Sequence, residues 1–87
     1  MPKSTKTVEM SPAQCRAARA LLDFNQAELA SKASLGLSTV VDFERSRRAV
    51  SADAVDAIRV ALEAAGVEFT NGDEPGVKLR KKARQSK

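Results

Sequence analysis

The chain of 87 residues contains no histidine, no tryptophan and no tyrosine, and it has a single cysteine. Each absence excludes a class of chemistry. Without histidine, a nucleophile has no imidazole base beside it, and one thiol cannot assemble the usual nitrogen and sulfur ligands of zinc. Cys15 is therefore expected to be a small core residue. A lone cysteine forms no internal disulfide, which suits a reducing cytoplasm. No apolar run approaches the roughly 20 residues of a membrane span. The opening MPKSTKTVEM lacks the apolar centre of a secretory signal. No phosphate loop or other catalytic motif occurs. No enzyme activity, metal or cofactor is expected. With only three aromatic residues, all Phe, the core must be built from Ala, Leu and Val, which favours short helices packed closely. The length is enough for one small domain.

The charge is positive by four, but unevenly placed. Residues 78–87 carry Lys78, Arg80, Lys81, Lys82, Arg84 and Lys87 and no acid. Without them the balance is slightly acidic, so the high isoelectric point belongs to the tail and not to the folded body. The cluster Arg45, Arg47 and Arg48 is more informative, because it lies inside a structural motif.

Helix signals recur along the chain. Residues 1–10 are expected to be a disordered arm. Ser11-Pro12 opens a first helix over 12–22, with serine as N-cap and proline in the first turn; Cys15, Ala18, Leu21 and Leu22 share a face. Asn25 caps a second helix over 26–33, with Ala27, Leu29, Ala30 and Ala33 as its apolar positions. Ser34-Leu35-Gly36 is the turn. A third helix covers 37–45, with Val40, Phe43 and Glu44 inward and Leu37, Ser38, Val41, Asp42 and Arg45 outward. Ser51 caps a fourth over 52–65, whose stripe is Val55, Ile58, Leu62 and Ala65 and whose end is Gly66. The period then changes from 3.6 to 2. Val67, Phe69, Val77 and Leu79 alternate with charged residues around TNGDEPG, which predicts a β-hairpin over 67–80. Residues 81–87 are expected to be a basic disordered tail.

Residues 25–48, NQAELASKASLGLSTVVDFERSRR, thus place two short helices either side of a glycine-containing turn. That is the pattern of a helix-turn-helix, whose second helix enters the DNA major groove. Arg45, Arg47 and Arg48 would neutralise phosphates. Asn25 and Gln26 open a helix, where anions are attracted, and are further phosphate candidates. Asp42 is either an acceptor for cytosine N4 or a solvated acid. Leu37 and Val41 either touch thymine methyl groups or form an apolar patch for a protein.

The spacing of Arg19, Gln26-x-Glu28-Leu29-Ala30, Thr39-Val40, Glu44 and Arg48 resembles the Cro-like (XRE, phage-repressor type) helix-turn-helix family over residues 12–66. The beginning and end resemble a short bacterial subgroup with a strand pair after the helices. The resemblance implies a mainly α fold: a four-helix lambda-repressor-like DNA-binding domain with a small C-terminal β-hairpin. It implies that Gln26 contacts a phosphate and that Leu37, Ser38 and Asp42 occupy base-reading positions. Arg19 and Glu44 would form a buried ion pair. The chain departs from the family at Gly36, where serine or threonine is usual, and at Ser46, which replaces a glycine. A left-handed residue at Ser46 would be strained.

The expected function is a sequence-specific transcriptional regulator, a repressor binding an inverted-repeat operator as a homodimer in the nucleoid. Val67, Phe69, Val77 and Leu79 are the candidate dimerisation residues, with the fourth helix. No second domain for a small-molecule effector is expected. The alternative is a helix-turn-helix module that binds a protein, as an antitoxin or antiactivator does, with weak or no DNA binding.

Overall fold

The computed structural model describes residues 10–70 and 75–80. The expectations for residues 1–9, for the hairpin tip at 71–74 and for the tail at 81–87 lie outside them. Four helices, α1 (Pro12–Leu22), α2 (Gln26–Ala33), α3 (Leu37–Glu44) and α4 (Ala52–Ala64), are followed by the strands β1 (Val67–Thr70) and β2 (Gly76–Leu79). The molecule is thus mainly helical, with one small antiparallel sheet.

The helix starts are set by side chains. Ser11, Asn25 and Ser51 each accept a hydrogen bond from the backbone N–H three residues on, in the first turn of α1, α2 and α4. This satisfies donors that helix geometry leaves unpaired. At Ser11 and Asn25 the partner residue, Gln14 or Glu28, returns the bond to the cap's own N–H. Gly36 starts α3 with no side-chain cap, in ordinary extended backbone at φ −73°. The first three helices end alike, each in a left-handed residue that is not glycine: Asp23 at φ 59°, Ser34 at φ 60° and Ser46 at φ 54°. In each turn the following N–H reaches back into the last helical turn, as Phe24 to Arg19 O (3.0 Å), Leu35 to Ala30 O (2.9 Å) and Arg47 to Asp42 O (2.9 Å). Aspartate tolerates this conformation, whereas serine does so at a cost. Gly66, at φ 116°, turns the chain out of α4 into β1.

Leu29, Ala30 and Ala33 of α2 face Val40 of α3 and Ile58 and Leu62 of α4, with Cys15 and Ala18 of α1 closing the core. The small residues let α2 approach α3 and α4 closely. Met10, assigned to the arm by its sequence, is instead 6% exposed and belongs to the core. Leu21, assigned to the buried face of α1, is exposed: on an 11-residue helix with alanine neighbours, one apolar position more or less does not define the stripe.

The hairpin pairs Val67 with Leu79, Glu68 with Lys78 and Phe69 with Val77. Its apolar face is turned onto α1 and α4. Val67 and Phe69 are buried, and Val77 and Leu79 pack half-buried against the same cluster. Of the candidate dimerisation residues, Val67 and Phe69 are thus covered by their own chain, whereas Val77 and Leu79 keep part of their surface exposed. A four-residue strand pair is marginal alone, and here the helices of its own chain cover it.

Two polar clasps hold the sheet in place. The buried Gln14 amide donates to Thr70 O (3.1 Å) and Gly76 O (3.0 Å), bridging both strands to α1. Arg80 donates through its backbone to Gly66 O and through its guanidinium to Glu63 O, each at 2.8 Å. A positive charge at the C-terminal end of α4 is favourable, so Arg80 belongs with the folded body and not with the basic tail.

Two stability outcomes are expected. Gln14→Ala removes the two hydrogen bonds that tie α1 to the strands and lowers the unfolding free energy by about 1–3 kcal/mol. Ser46→Gly relieves the left-handed serine and raises it by about 1 kcal/mol. Urea denaturation of both variants beside the parent protein checks the two signs.

Candidate functional site

Glu44 is the last residue of α3 and the only carboxylate in the core among the described residues; it is 2% exposed. A charge placed there is unfavourable unless it is fully bonded. Arg19 of α1 supplies a two-pronged contact, Nε to Oε2 at 2.7 Å and Nη2 to Oε1 at 2.8 Å. Gln26, at the start of α2, donates Nε2 to Oε1 at 3.0 Å, and the Cys15 thiol donates to Oε2 at 3.1 Å. Arg16 donates Nη1 to the Glu44 backbone oxygen at 2.6 Å. Arg19 also donates Nη1 to Phe24 O in the α1–α2 connection at 3.1 Å. One carboxylate therefore ties the end of α3 to both α1 and α2.

The electrostatics follow the geometry. Burial pushes the Glu44 carboxyl up, but hydrogen bonds from Arg19, Cys15 and Gln26, with the Arg19 charge, outweigh it and hold the group below its ordinary value. The same hydrogen bond to Glu44 raises Arg19. Burial, then the bond to Glu44 and its charge, push the Cys15 thiol far up, so the sulfur stays protonated. Cys15 is thus a donor inside the clasp as well as a core residue.

The clasp leaves the opposite side of α3 outward. Ser38 and Arg45 are exposed there with the half-buried Asp42; Leu37 is 49% exposed in the first turn of α3, and Val41 is half-buried at the edge of that side. Arg47 and Arg48 follow, both exposed. Arg48 does not stand alone, for its Nε meets Asp42 Oδ2 at 2.6 Å. The candidate base reader and the candidate phosphate contact are therefore partners of one another. Asn25 uses its side-chain oxygen to cap α2 at 2.7 Å from Glu28 N, which leaves its amide nitrogen as the donor toward an anion. Gln26 has its amide turned to Glu44, although it still borders the surface. Arg16, Arg19, Asn25, Gln26, Arg45 and Ser46 line one open depression above the clasp. Three guanidiniums against one neutralised carboxylate make it a positive surface.

Sequence reasoning passed over Arg16, Gln14 and the Asp42–Arg48 pair. The signal for Gln14 was present: Ser11 followed three places on by Gln14 has the spacing of a reciprocal cap. Arg16 carried none, because only the tertiary arrangement brings it to the end of α3. Among the described residues, no group of three or more His, Cys, Asp or Glu side chains is placed to hold a metal ion, and no helix is long and apolar enough to cross a membrane.

No family model and no curated protein sequence matches the chain.

The clasp has a pH signature. Because Glu44 titrates lower in the folded chain than in the unfolded one, its stabilisation is complete above the ordinary glutamate value of about 4.3. It is lost as the pH falls through the lower folded value. Glu44→Gln is expected to flatten the acid side of the stability profile, and Glu44→Ala, which strands Arg19, to cost about 3–5 kcal/mol near neutrality. Chemical denaturation across the acid range measures both.

Proposed function

We propose that this chain is a sequence-specific DNA-binding regulator of transcription of the Cro-like helix-turn-helix kind, acting as a homodimeric repressor on an inverted repeat. The observation that carries the reading is the two-sided character of α3. Val40 and Glu44 pin its inner side, while Ser38, Asp42 and Arg45 form one outward stripe, bordered by Leu37 and Val41, with Arg47 and Arg48 just beyond. A helix displayed in this way fits a major groove, with small and polar side chains toward base edges and arginines toward phosphates. The positive depression at the start of α2 supports a phosphate on the other side of the same groove.

In this reading the operator half-sites lie about 34 Å apart, one helical turn of DNA. The dimerisation candidates in this reading are the outer side of α4, where Val60 is 49% exposed, and the half-buried Val77 and Leu79 of the hairpin. Repression then follows from occupying a promoter, with control by the amount of protein.

The exposure of Leu37 also favours a second reading, a helix-turn-helix module that docks on a protein through Leu37 and Val41. The two readings differ in salt dependence. A DNA-binder loses affinity linearly on a logarithmic salt scale, and each phosphate contact adds about 0.9 to the slope. Mobility shifts with duplex DNA from upstream of the coding region are expected to show that slope. Arg45→Ala plus Arg47→Ala is expected to weaken binding to all sequences and reduce the slope by about 1–2. Binding that is absent at low salt, or that the double variant leaves intact, contradicts the assignment.

A further inference from the structure

The outward stripe of α3 contains one acid, and a carboxylate brought up to the phosphodiester backbone is repelled unless its charge is cancelled. Asp42 is cancelled from within the chain. The left-handed turn at Ser46 reverses the backbone after α3, and Arg47 N closes it onto Asp42 O at 2.9 Å. That reversal lays Arg48 back along the helix, where its Nε donates to Asp42 Oδ2 at 2.6 Å. The guanidinium covers the acid: the Asp42 side chain is 19% exposed against 55% for Arg48. A guanidinium has five N–H donors and a carboxylate two acceptor oxygens. The contact at Oδ2 therefore leaves Oδ1 able to accept and Arg48 able to donate again.

We propose that Asp42 and Arg48 act as one base-reading unit, in which Asp42 Oδ1 accepts a hydrogen bond from the N4 amino group of a cytosine in the major groove and Arg48 is its positioning residue. This inference extends the DNA-binding reading given above. Arg48 fixes the carboxylate on the groove side of α3 and removes the repulsion that a lone acid meets there. Of its other donors, Nη1 is turned to Ala49 O at 3.5 Å, and Nη2 is left for a flanking phosphate. Cytosine is the base selected because its N4 amino group is a donor with no acceptor beside it on the same base, whereas guanine offers only acceptors and adenine sets its N6 donor next to N7, an acceptor that repels a carboxylate.

The test is selection of bound fragments from random duplex DNA by the parent protein, Asp42→Asn, Arg48→Ala and Arg48→Lys, with affinities then measured on sites differing at the selected position. Thermal melts report whether each variant is folded, and exposed-pair changes of this kind are expected to shift them little. The parent protein is expected to prefer cytosine at one position of each half-site by about tenfold. Asp42→Asn loses that preference. Arg48→Ala binds more weakly and loses it at the same position, and Arg48→Lys, which keeps the charge, restores it in part. If Arg48→Ala weakens binding to all sequences alike while the cytosine preference stays, Arg48 is a plain phosphate contact and the paired unit is refuted, with DNA binding untouched. If the parent protein enriches no sequence at all, the regulator reading falls and takes this inference with it.

Discussion

A single buried carboxylate organises this small protein. The core is made largely of alanine, leucine and valine, and such side chains pack in several nearly equivalent ways. Glu44 removes that freedom. Its oxygens require donors, and those in reach come from Cys15 and Arg19 on α1 and Gln26 on α2. The end of α3 sits where these donors converge. Charged hydrogen bonds are short and directional, so the orientation of α3 is set by chemistry as well as by shape. An apolar pair of similar volume often stabilises a core as well or better. What the ion pair adds here is position.

The consequences run outward from that point. With Val40 and Glu44 turned in, helical spacing turns Ser38 and Asp42 out; Leu37 is exposed because it stands in the first turn of α3, and Val41 lies half-buried at the border of the two sides. The chain then needs a sharp reversal, and Ser46 makes it in a left-handed conformation. The reversal returns Arg48 to the side of Asp42. A strained backbone residue, a buried charge and an exposed ion pair thus lie within seven residues of the chain. Such local conflicts between sequence preference and structure gather where a surface has a task to perform.

Much of the helical framework could be read from the sequence, for identifiable reasons. Ser11-Pro12, Asn25 and Ser51 mark helix starts through cap chemistry that acts within four residues, and Gly66 marks an end by its backbone freedom. The change of period at Val67 marks the strands. The pairing of Arg19 with Glu44 came from the resemblance alone, since no spacing rule joins residues on different helices. What escaped the sequence is tertiary. Gln14 looks like an ordinary polar residue until the hairpin presents two carbonyls to it. Alternation shows that the hairpin's apolar face is buried but not whether the helices or a second copy bury it, and the helices of the same chain lie against it here. Asp42 and Arg48 are six apart, a spacing that brings nothing together on a helix, and they meet only because of the turn at Ser46.

The central claim is that Arg19 and Glu44 are coupled through the clasp and do not contribute separately. A double-mutant cycle with Arg19→Met and Glu44→Gln, followed by urea unfolding, measures that coupling directly. The account gives a coupling of about 2–3 kcal/mol, in the upper part of the range for contacting residues. Two losses that simply add, within about 0.5 kcal/mol, would contradict it.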